Sequence, residues 1–437
     1  MVSLADVSHK GAVYLGDTLV GAVLYDPVTK FTSFEYAAQW LQSGFSISPK
    51  HLPLQVGVFQ FPLLSFETYR GLPAALADTL PDDFGSAVIN AWLARNNRTP
   101  DSFSPVERLL YSGKRGMGAL EYRPAIKKQD NKAIEIHMAS LVAMAQAILD
   151  QRLGLSADTS ENGLSEILQV GTSAGGARAK AVIGINGDRS KILSGQVALP
   201  KGYEHYLLKF DGVSERSQSS EIFGDPKGYG RMEFAYYLMA KDAGINMMPC
   251  ELLLDGSRAH FMTQRFDRIG NAKIHYQSLC AMDHADYKKP GHYSYEELFL
   301  LLRFLKLKRI DAEQMVRRMI FNVIARNHDD HTKNTGFIFV EGAWKLAPAF
   351  DIAYSYKPGS PWVDSHQMTI NGKRDDFLVS DFEAALQSSP LLQKMIPTMV
   401  KEISGVVGQW KDYAAKAEVP AWLTEEIKKN LRLRISA

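Results

Sequence analysis

A single interruption in the C-terminal part of the chain restricts the possible folds more than any other feature. Apolar periodicity predicts helices over 294–308, 311–326, 380–415 and 421–433. Between the second and third of these lies NHDDHTKNTGFIFVEGAWKLAPAFD, residues 327–351. Here a polar loop precedes two short strands joined at Glu341-Gly342, and Asp351 follows the second strand. The pattern predicts a helical lobe that contains a polar loop and a β-hairpin.

The spacing of acidic and amide residues in this segment is typical of kinase-type phosphotransfer sites. Asp329 and Asn334 are separated as D-x-x-x-x-N, and Asp351 returns after the hairpin. In such sites the loop aspartate accepts a proton from the attacking hydroxyl or orients it. The asparagine and the later aspartate hold Mg²⁺, which prefers hard oxygen ligands. The sequence therefore predicts Asp329 as catalytic, and Asn334 and Asp351 as metal ligands.

Two other interpretations of the loop stay open at this point. A polar turn after a helix is common, so D-x-x-x-x-N alone does not distinguish a site from a turn. His328 and His331 could also hold the transition metal of a hydrolase. Two histidines three residues apart share a metal only if the backbone between them is helical.

Residues upstream supply the other parts of a nucleotide site in the expected order. The loop GTSAGGARAKA, residues 171–181, can present backbone N–H groups to a phosphate. Lys209 ends an alternating strand where a kinase places its phosphate-binding lysine, and Glu233 or Glu221 could pair with it. The predicted cofactor-binding residues are Ser173, Ala174, Gly175, Gly176, Ala177, Lys180, Lys209, Thr263, Gln264, Arg265 and Asp351. Each of these segments also fits an ordinary turn or strand end. The prediction of a nucleotide site therefore depends on the order in which the segments occur along the chain.

Composition excludes several classes of protein. Hydrophobic residues make up 46% and charged residues 22%, which is too apolar for a disordered chain. A net charge of +2 argues against a histone-like binder of phosphate backbones. The N-terminus has no apolar signal-peptide region, and the longest apolar helices fall short of the roughly 20 residues of a membrane span. We expect a cytoplasmic protein without a membrane partner.

The expected fold class is α+β. We predict a two-lobed, protein-kinase-like fold with a β-rich N-terminal subdomain and a mostly helical C-terminal lobe. The polar stretch LSADTSENGLS suggests a boundary near residue 155. The predicted domains are residues 1–155, a small lobe over 156–267, and a helical lobe over 268–437. Two strands are expected within 13–24, and helices over 36–41, 79–95, 138–152 and 231–243.

Taken together, several segments resemble the HipA family of bacterial toxin-antitoxin serine/threonine kinases. These are SAGGARAKA, HYLLKF, TQRFDR, NHDDHTKNTGF and LAPAFDIAYS, with GDTLVGAV, SPKHLPL and GMGALEYRP nearer the N-terminus. The resemblance implies ATP and Mg²⁺ as cofactors and Asp329 as the catalytic aspartate. It also implies Asn334 and Asp351 as magnesium ligands, Lys209 as the ATP-phosphate lysine, and His331 as a residue that orients the catalytic loop.

The resemblance further implies regulation and partners. Members phosphorylate a serine of their own Gly-rich loop, which corresponds to Ser173, and a phosphate there would repel the nucleotide. Arg178 stands where the family often has Gln. Implied partners are a translation-related protein substrate such as an aminoacyl-tRNA synthetase, and a HipB-like helix-turn-helix antitoxin that makes most of the DNA contact. A catalytically silent, nucleotide-binding corepressor is the alternative, although the predicted catalytic residues are all present.

Overall fold

The computed structural model describes residues 9–81, 83–126, 133–152, 178–214 and 224–436. The chain divides into two compact units. The first comprises Met1–Lys227 and Leu253–Tyr276, and the second comprises Gly228–Leu252 and Gln277–Ala437. The first unit is rich in strands and the second is mostly helical, which confirms the predicted α+β class.

The first sheet is built from the N-terminal residues. Its strands are Lys10–Leu15 (β1), Thr18–Tyr25 (β2), Thr32–Tyr36 (β3), Val58–Phe59 (β4) and Leu120–Arg123 (β5). They are antiparallel and lie in the order β4-β3-β2-β1-β5. The hairpin predicted within 13–24 is therefore confirmed as β1 and β2.

The helix predicted over 36–41 was wrong. Strand β3 extends to Tyr36, and only the 3₁₀ turn Trp40–Gln42 follows it. Phe34 and Tyr36 point to the same buried side of the sheet, as the twofold period of a strand requires. The Tyr36 hydroxyl then donates to the Leu52 carbonyl at 2.7 Å, which fixes Tyr36 at the end of the strand.

The helices of the first unit include two that the sequence predicted. In chain order they are Phe66–Tyr69 (α1), Ala74–Ala77 (α2), Asp83–Arg95 (α3), Pro105–Ser112 (α4) and Met138–Arg152 (α5). Helices α3 and α5 match the predictions over 79–95 and 138–152. Helix α4 begins with a capping box, in which Ser104 accepts from the Glu107 N–H and Glu107 accepts from the Ser104 N–H.

A second sheet follows along the chain. The further strands are Lys180–Asn186 (β6), Ile192–Ser194 (β7), Tyr203–Lys209 (β8), Val213–Ser214 (β9), Gly224–Asp225 (β10), Cys250–Asp255 (β11), Arg258–Gln264 (β12), Arg268–Ile269 (β13), Ala272–Lys273 (β14) and His275–Ser278 (β15). The sheet has the order β11-β12-β8-β6-β7. One face packs against α3 and α5 through Ala181, Ile183, Tyr206 and Leu208. The opposite face includes Lys180, Lys209 and Phe261, which are discussed below.

The second unit has one hydrophobic core formed mainly by its helices. They are Tyr229–Asp242 (α6), Leu279–Met282 (α7), Tyr295–Phe304 (α8), Arg309–Ile324 (α9), Val379–Ala385 (α10), Pro390–Gln393 (α11), Ile396–Val407 (α12), Trp410–Lys416 (α13) and Ala421–Asn430 (α14). Strands Gly336–Val340 (β16) and Ala343–Leu346 (β17) form the predicted hairpin. Met319, Phe321, Tyr236 and Trp410 lie at the centre of the core.

The long helix predicted over 380–415 is divided into α10 to α13. Pro390 and Pro397 stand in the first turns of α11 and α12, where a missing N–H costs nothing. In the middle of a continuous helix each proline would remove a hydrogen bond. Glycine at 408 follows the end of α12. The prolines therefore explain why the helical spacing of apolar residues continues through 380–415 although the helix is interrupted.

The predicted domain limits stay predictions. The boundary near residue 155 falls in 153–177, outside the described residues. In the described part of the chain, no helix combines the length and the apolar character that crossing a membrane requires.

Candidate active site

The predicted catalytic loop, residues 327–334, follows the end of α9 and is fixed to the chain after Asp351. The Tyr236 hydroxyl donates to the Ala325 carbonyl at 2.7 Å and so satisfies a group at the C-terminus of α9. The next residues pair with Ser355: the His328 N–H donates to the Ser355 carbonyl at 3.1 Å, and the Ser355 N–H donates to the Arg326 carbonyl at 3.0 Å. The loop and the segment that carries Asp351 are thus held side by side.

Asp329, His331 and Asn334 form one local cluster. The Asn334 side-chain amide donates to the Asp329 carbonyl at 2.8 Å, and the Asn334 backbone N–H donates to the His331 carbonyl at 2.8 Å. His331 Nε2 lies 3.7 Å from Asp329 Oδ1. The Asp329 side chain is 42% exposed, so its carboxylate is accessible to a substrate. The arrangement leaves an open carboxylate on a loop whose backbone is fixed.

The adjacent Asp330 is buried and points away from the solvent. Its carboxylate accepts hydrogen bonds from the Tyr295 hydroxyl at 2.9 Å, His366 Nδ1 at 3.0 Å and the Gln367 N–H at 2.7 Å. Burial alone would raise the pKa of Asp330, but the His366 imidazole and these hydrogen bonds outweigh burial and lower it. Sequence reasoning missed this anchor because the partners of Asp330 are about 35 residues away along the chain.

The two histidines of the loop do not face a common metal. The backbone over 328–331 is not helical, so the condition for a shared ion is not met. The His328 ring is buried 4.2 Å from the His366 ring, whereas the His331 ring contacts Tyr287 at 5.4 Å. Burial, with His366 and Arg326 nearby, lowers the pKa of His328 to about 3. Among the residues that the structure describes, no group of three or more His, Cys, Asp or Glu side chains is placed to hold a metal ion.

Asn334 and Asp351 border the same small cavity, as the predicted magnesium ligands should. The cavity measures about 20 Å³, which is room for one water-sized particle. Asn327 also borders it, and its buried Oδ1 has no hydrogen-bond partner within the described residues. Asp351 adopts a left-handed backbone conformation with φ +54°, which is uncommon outside glycine. Carboxylate and amide oxygens around such a space fit Mg²⁺.

Lys180 and Lys209 lie directly opposite each other in the second sheet. They are a registered pair of β6 and β8, and both are buried. Phe261 is the partner of Lys209 on β12, and Lys209 Nζ lies 5.7 Å from its ring centroid. All three residues are on the face opposite α3 and α5. Side chains directly opposite in a sheet are close neighbours, so two ammonium groups can act on one polyphosphate.

Thr263, Gln264 and Arg265, which the sequence predicts as cofactor-binding residues, have unlike environments. Thr263 is paired with Leu207 and so shares the face of Lys209, whereas Gln264 is paired with Tyr206 on the helix-covered face. The Arg265 N–H donates to the His205 carbonyl at 2.9 Å. The cofactor-binding role of Thr263, Gln264 and Arg265 stays a prediction.

Asp267 explains why Arg265 is conformationally fixed. Its buried carboxylate accepts from Arg265 at 2.7 and 2.8 Å, from Arg268 at 2.8 Å, and from the Gly118 N–H at 2.7 Å. Burial opposes ionisation, but the two guanidinium groups hold the pKa of Asp267 well below its usual range. Through Asp267, hydrogen bonds connect Arg265 at the end of β12 to Gly118, which precedes β5.

Several predicted residues are not tested by this geometry. Ser173, Ala174, Gly175, Gly176 and Ala177, together with Glu221, lie outside the described residues. Glu233 is buried in the first half of α6, in the second unit, while Lys209 belongs to the first. The choice of Glu233 or Glu221 as the partner of Lys209, and the role of Arg178, stay predictions.

Comparison with family models covers both parts of the chain. The HipA-like C-terminal domain matches residues 172–410, and the HipA N-terminal domain matches residues 11–123. The chain belongs to the HipA family. Every predicted site residue from Ser173 to Asp351 lies within the C-terminal match of this HipA-family chain.

Two known proteins are similar to this HipA-family chain. The structure of the Shewanella oneidensis MR-1 toxin-antitoxin complex of HipA, HipB and operator DNA contains a chain that is 17% identical, with a TM-score of 0.67. The similarity covers 96% of this chain and 95% of that one, so the two share a fold. "Putative kinase Y4mE" of Sinorhizobium fredii is 25% identical over 124 residues, which span 26% of this chain and 30% of that protein.

Proposed function

We propose that this HipA-family chain is an ATP- and Mg²⁺-dependent protein serine/threonine kinase that acts as the toxin of a toxin-antitoxin system. One observation carries the proposal: Asn334 and Asp351 border a single cavity, while Asn334 also holds the backbone of the exposed Asp329. Family membership supports it, because the site residues occur in the matched segment in the order that phosphotransfer requires.

In this mechanism Asp329 is the group that meets the protein substrate. Its carboxylate orients a serine or threonine hydroxyl and takes the proton as the hydroxyl oxygen bonds to the γ-phosphorus. The bond from that phosphorus to the bridging oxygen breaks, and ADP leaves. Asn334 keeps the Asp329 backbone in place, and the His331 imidazole lies 3.7 Å from the Asp329 carboxylate.

The nucleotide phosphates are assigned to the remaining residues. Asn334 and Asp351 would hold Mg²⁺, which neutralises phosphate charge when bound. The ammonium groups of Lys180 and Lys209 would bind the phosphates on the face of the sheet opposite α3 and α5. Phosphate on Ser173 would repel the nucleotide and so inactivate the protein.

The proposed partner is a HipB-like helix-turn-helix antitoxin. A similar fold occurs in the Shewanella oneidensis complex, which contains HipA, HipB and operator DNA. With a net charge of only +2, this chain has little general attraction for DNA, so the antitoxin would supply most of the contacts.

The decisive experiment compares wild type with Asp329→Asn after incubation with Mg-ATP. The variant removes the proton acceptor but keeps the shape of the side chain. We expect a single added phosphate on Ser173 in the wild type, found by intact mass and peptide mapping, and at least a thousandfold slower transfer in the variant. Nucleotide affinity, measured by titration, should change less than threefold because Asp329 does not hold the phosphates.

The kinase proposal is wrong if wild type transfers no phosphate to itself or to any protein of a bacterial lysate. Nucleotide binding without transfer would then favour the silent corepressor. Loss of the folded state in Asp329→Asn, seen by circular dichroism, would mean that Asp329 is structural.

A further inference from the structure

Lysines cluster beside the catalytic loop, at a surface that phosphate transfer itself does not use. We call the "basic surface" the patch formed by Tyr287, Lys288, Lys289, Lys333 and Arg374. The Tyr287 ring lies 5.4 Å from the His331 ring, next to the catalytic Asp329. Lys333 Nζ is 5.0 Å and Lys288 Nζ is 6.0 Å from the Tyr287 ring centroid. The basic surface is thus continuous with the catalytic cluster.

Hydrogen bonds fix the loop that carries this surface on both sides. The Thr332 hydroxyl donates to the Ala285 carbonyl at 2.6 Å and connects the loop to the catalytic loop. On the other side the Gly291 N–H donates to the Gln367 carbonyl at 2.8 Å. Arg374 lies against Gly291 and donates to the His366 carbonyl at 2.7 Å. The basic side chains therefore project from a fixed backbone next to Asp329.

Positive charge is in excess here. The basic surface has four cationic side chains, and Asp329 and Asp286 lie beside them. Asp375 and Asp376, which follow Arg374, are paired with Arg432. Asp286 is buried, with its side chain 6% exposed, and Lys289 is 3.8 Å away while remaining 58% exposed. The buried carboxylate of Asp286 therefore neutralises part of the positive charge from the protein interior. The solvent-facing side of the basic surface stays positively charged. Contact with Tyr287 favours defined positions for two of the ammonium groups.

We propose that the basic surface binds an acidic segment of the protein that receives the phosphate. The phosphoacceptor hydroxyl would then be flanked by Asp or Glu residues. This inference rests on the proposed kinase function and adds a substrate class to it. Charge complementarity of this kind speeds association and disfavours basic segments.

The test is a binding measurement that does not depend on phosphate transfer. The probes are two fluorescent peptides with a central serine, one flanked by three Glu on each side and the other by Gln. At low salt we expect the wild type to bind the Glu peptide about tenfold more tightly, with the preference falling as salt is raised. The double variant Lys288→Gln/Lys289→Gln should lose most of the preference and keep its nucleotide affinity.

Lys394→Gln/Lys401→Gln is the matched control, because it removes the same charge from exposed positions elsewhere in the second unit. Lys394 adjoins Met395, whose sulfur lies 3.8 Å from Arg309 at the start of α9. That helix runs about 24 Å, at about 1.5 Å per residue, before the catalytic loop begins. The control should bind the Glu peptide as the wild type does.

Three results would overturn the acidic-segment proposal. They are equal binding of both peptides, an equal loss in the control variant, and tighter binding of a single-stranded oligonucleotide that needs the same two lysines. Incubation with Mg-ATP separates this proposal from the kinase function. Preferential binding of the Glu peptide without phosphorylation would support the acidic-segment proposal and contradict the kinase function. Equal phosphorylation of both peptides would support the kinase function and contradict the acidic-segment proposal.

Discussion

Two adjacent aspartates of the predicted catalytic loop have opposite environments. Asp329 is 42% exposed and has one imidazole beside it, whereas Asp330 is buried and accepts three hydrogen bonds. A buried carboxylate with this many donors restrains the backbone on which it sits. The orientation of Asp329 therefore depends on its neighbour, whose hydrogen bonds act on the loop rather than on the substrate.

Asp330→Asn should reduce phosphate transfer through positioning. The amide cannot accept from Tyr295 and His366 as a carboxylate does, so we expect kcat to fall at least tenfold while the KM for ATP changes little. Unfolding free energy should fall by about 2 kcal/mol. Asp376→Asn, at a side chain that is 98% exposed, is the control and should change neither quantity. An equal rise in KM for ATP would contradict a positioning role.

The same substitution has a pH signature. Since the pKa of Asp330 is lowered in the folded protein, its contribution to stability is present above about pH 4 and is lost as pH falls through the folded-state value. Below pH 4 the free energy of unfolding of Asp330→Asn should therefore fall less steeply with pH than that of the wild type. Urea unfolding measures both slopes.

At the scale of elements, the register of β6 and β8 decides which side chains can act together. Lys180 and Lys209 are 29 positions apart in sequence but directly opposite in the sheet. A shift of one residue would turn one of them into the core formed with α3 and α5. Ala181 and Leu208, buried on the other face, prevent that shift because their apolar side chains need the core.

Lys180→Met and Lys209→Met should each weaken ATP binding. Methionine keeps the apolar stem and removes the charge, so we expect about tenfold lower affinity for ATP and a smaller effect on adenosine. Titration calorimetry with both ligands measures this difference. Lys191→Met, at an exposed residue just before β7, is the control. If all three variants bind ATP equally well, the lysine pair has no part in phosphate binding.

At the scale of the whole molecule, each unit buries a histidine that resists protonation. In the first unit His275 donates to the Ile47 carbonyl from Nε2, and burial lowers its pKa to about 4. In the second unit the pKa of His328 is lowered to about 3 for the same leading reason. The unfolded chain binds protons near the ordinary value of about 6.5, so acid favours unfolding of both units.

Stability should therefore fall as pH is lowered from about 6.5 towards 4. Each of the two histidines contributes a slope of up to about 1.4 kcal/mol per pH unit in this window. His275→Gln and His328→Gln should each reduce the number of protons taken up on unfolding by about one at pH 5. Urea unfolding between pH 7 and pH 5 measures the slope, with the exposed His292→Gln as the control. A slope unchanged in both variants would rule out these two histidines as its cause.

Local patterns in the sequence determined much of the fold. The hairpins at β1–β2 and β16–β17 follow from strand alternation around Gly-containing turns, and α3 and α5 follow from apolar periodicity. These features depend on residues near one another in the chain, which is why a sequence reveals them. The same holds for the order of site residues, on which the resemblance to the HipA family, now confirmed by the family models, was based.

What only the tertiary structure decided depends on partners far apart in the chain. Asp330 is anchored by His366, Asp267 holds Arg265 and Gly118, and Lys180 is placed opposite Lys209. No period or motif encodes these contacts, because packing of whole elements brings the atoms together and burial then requires each polar group to find a partner. The sequence thus named the chemical groups of the predicted site, and the fold determined which of them are exposed and which buried groups hold them in place.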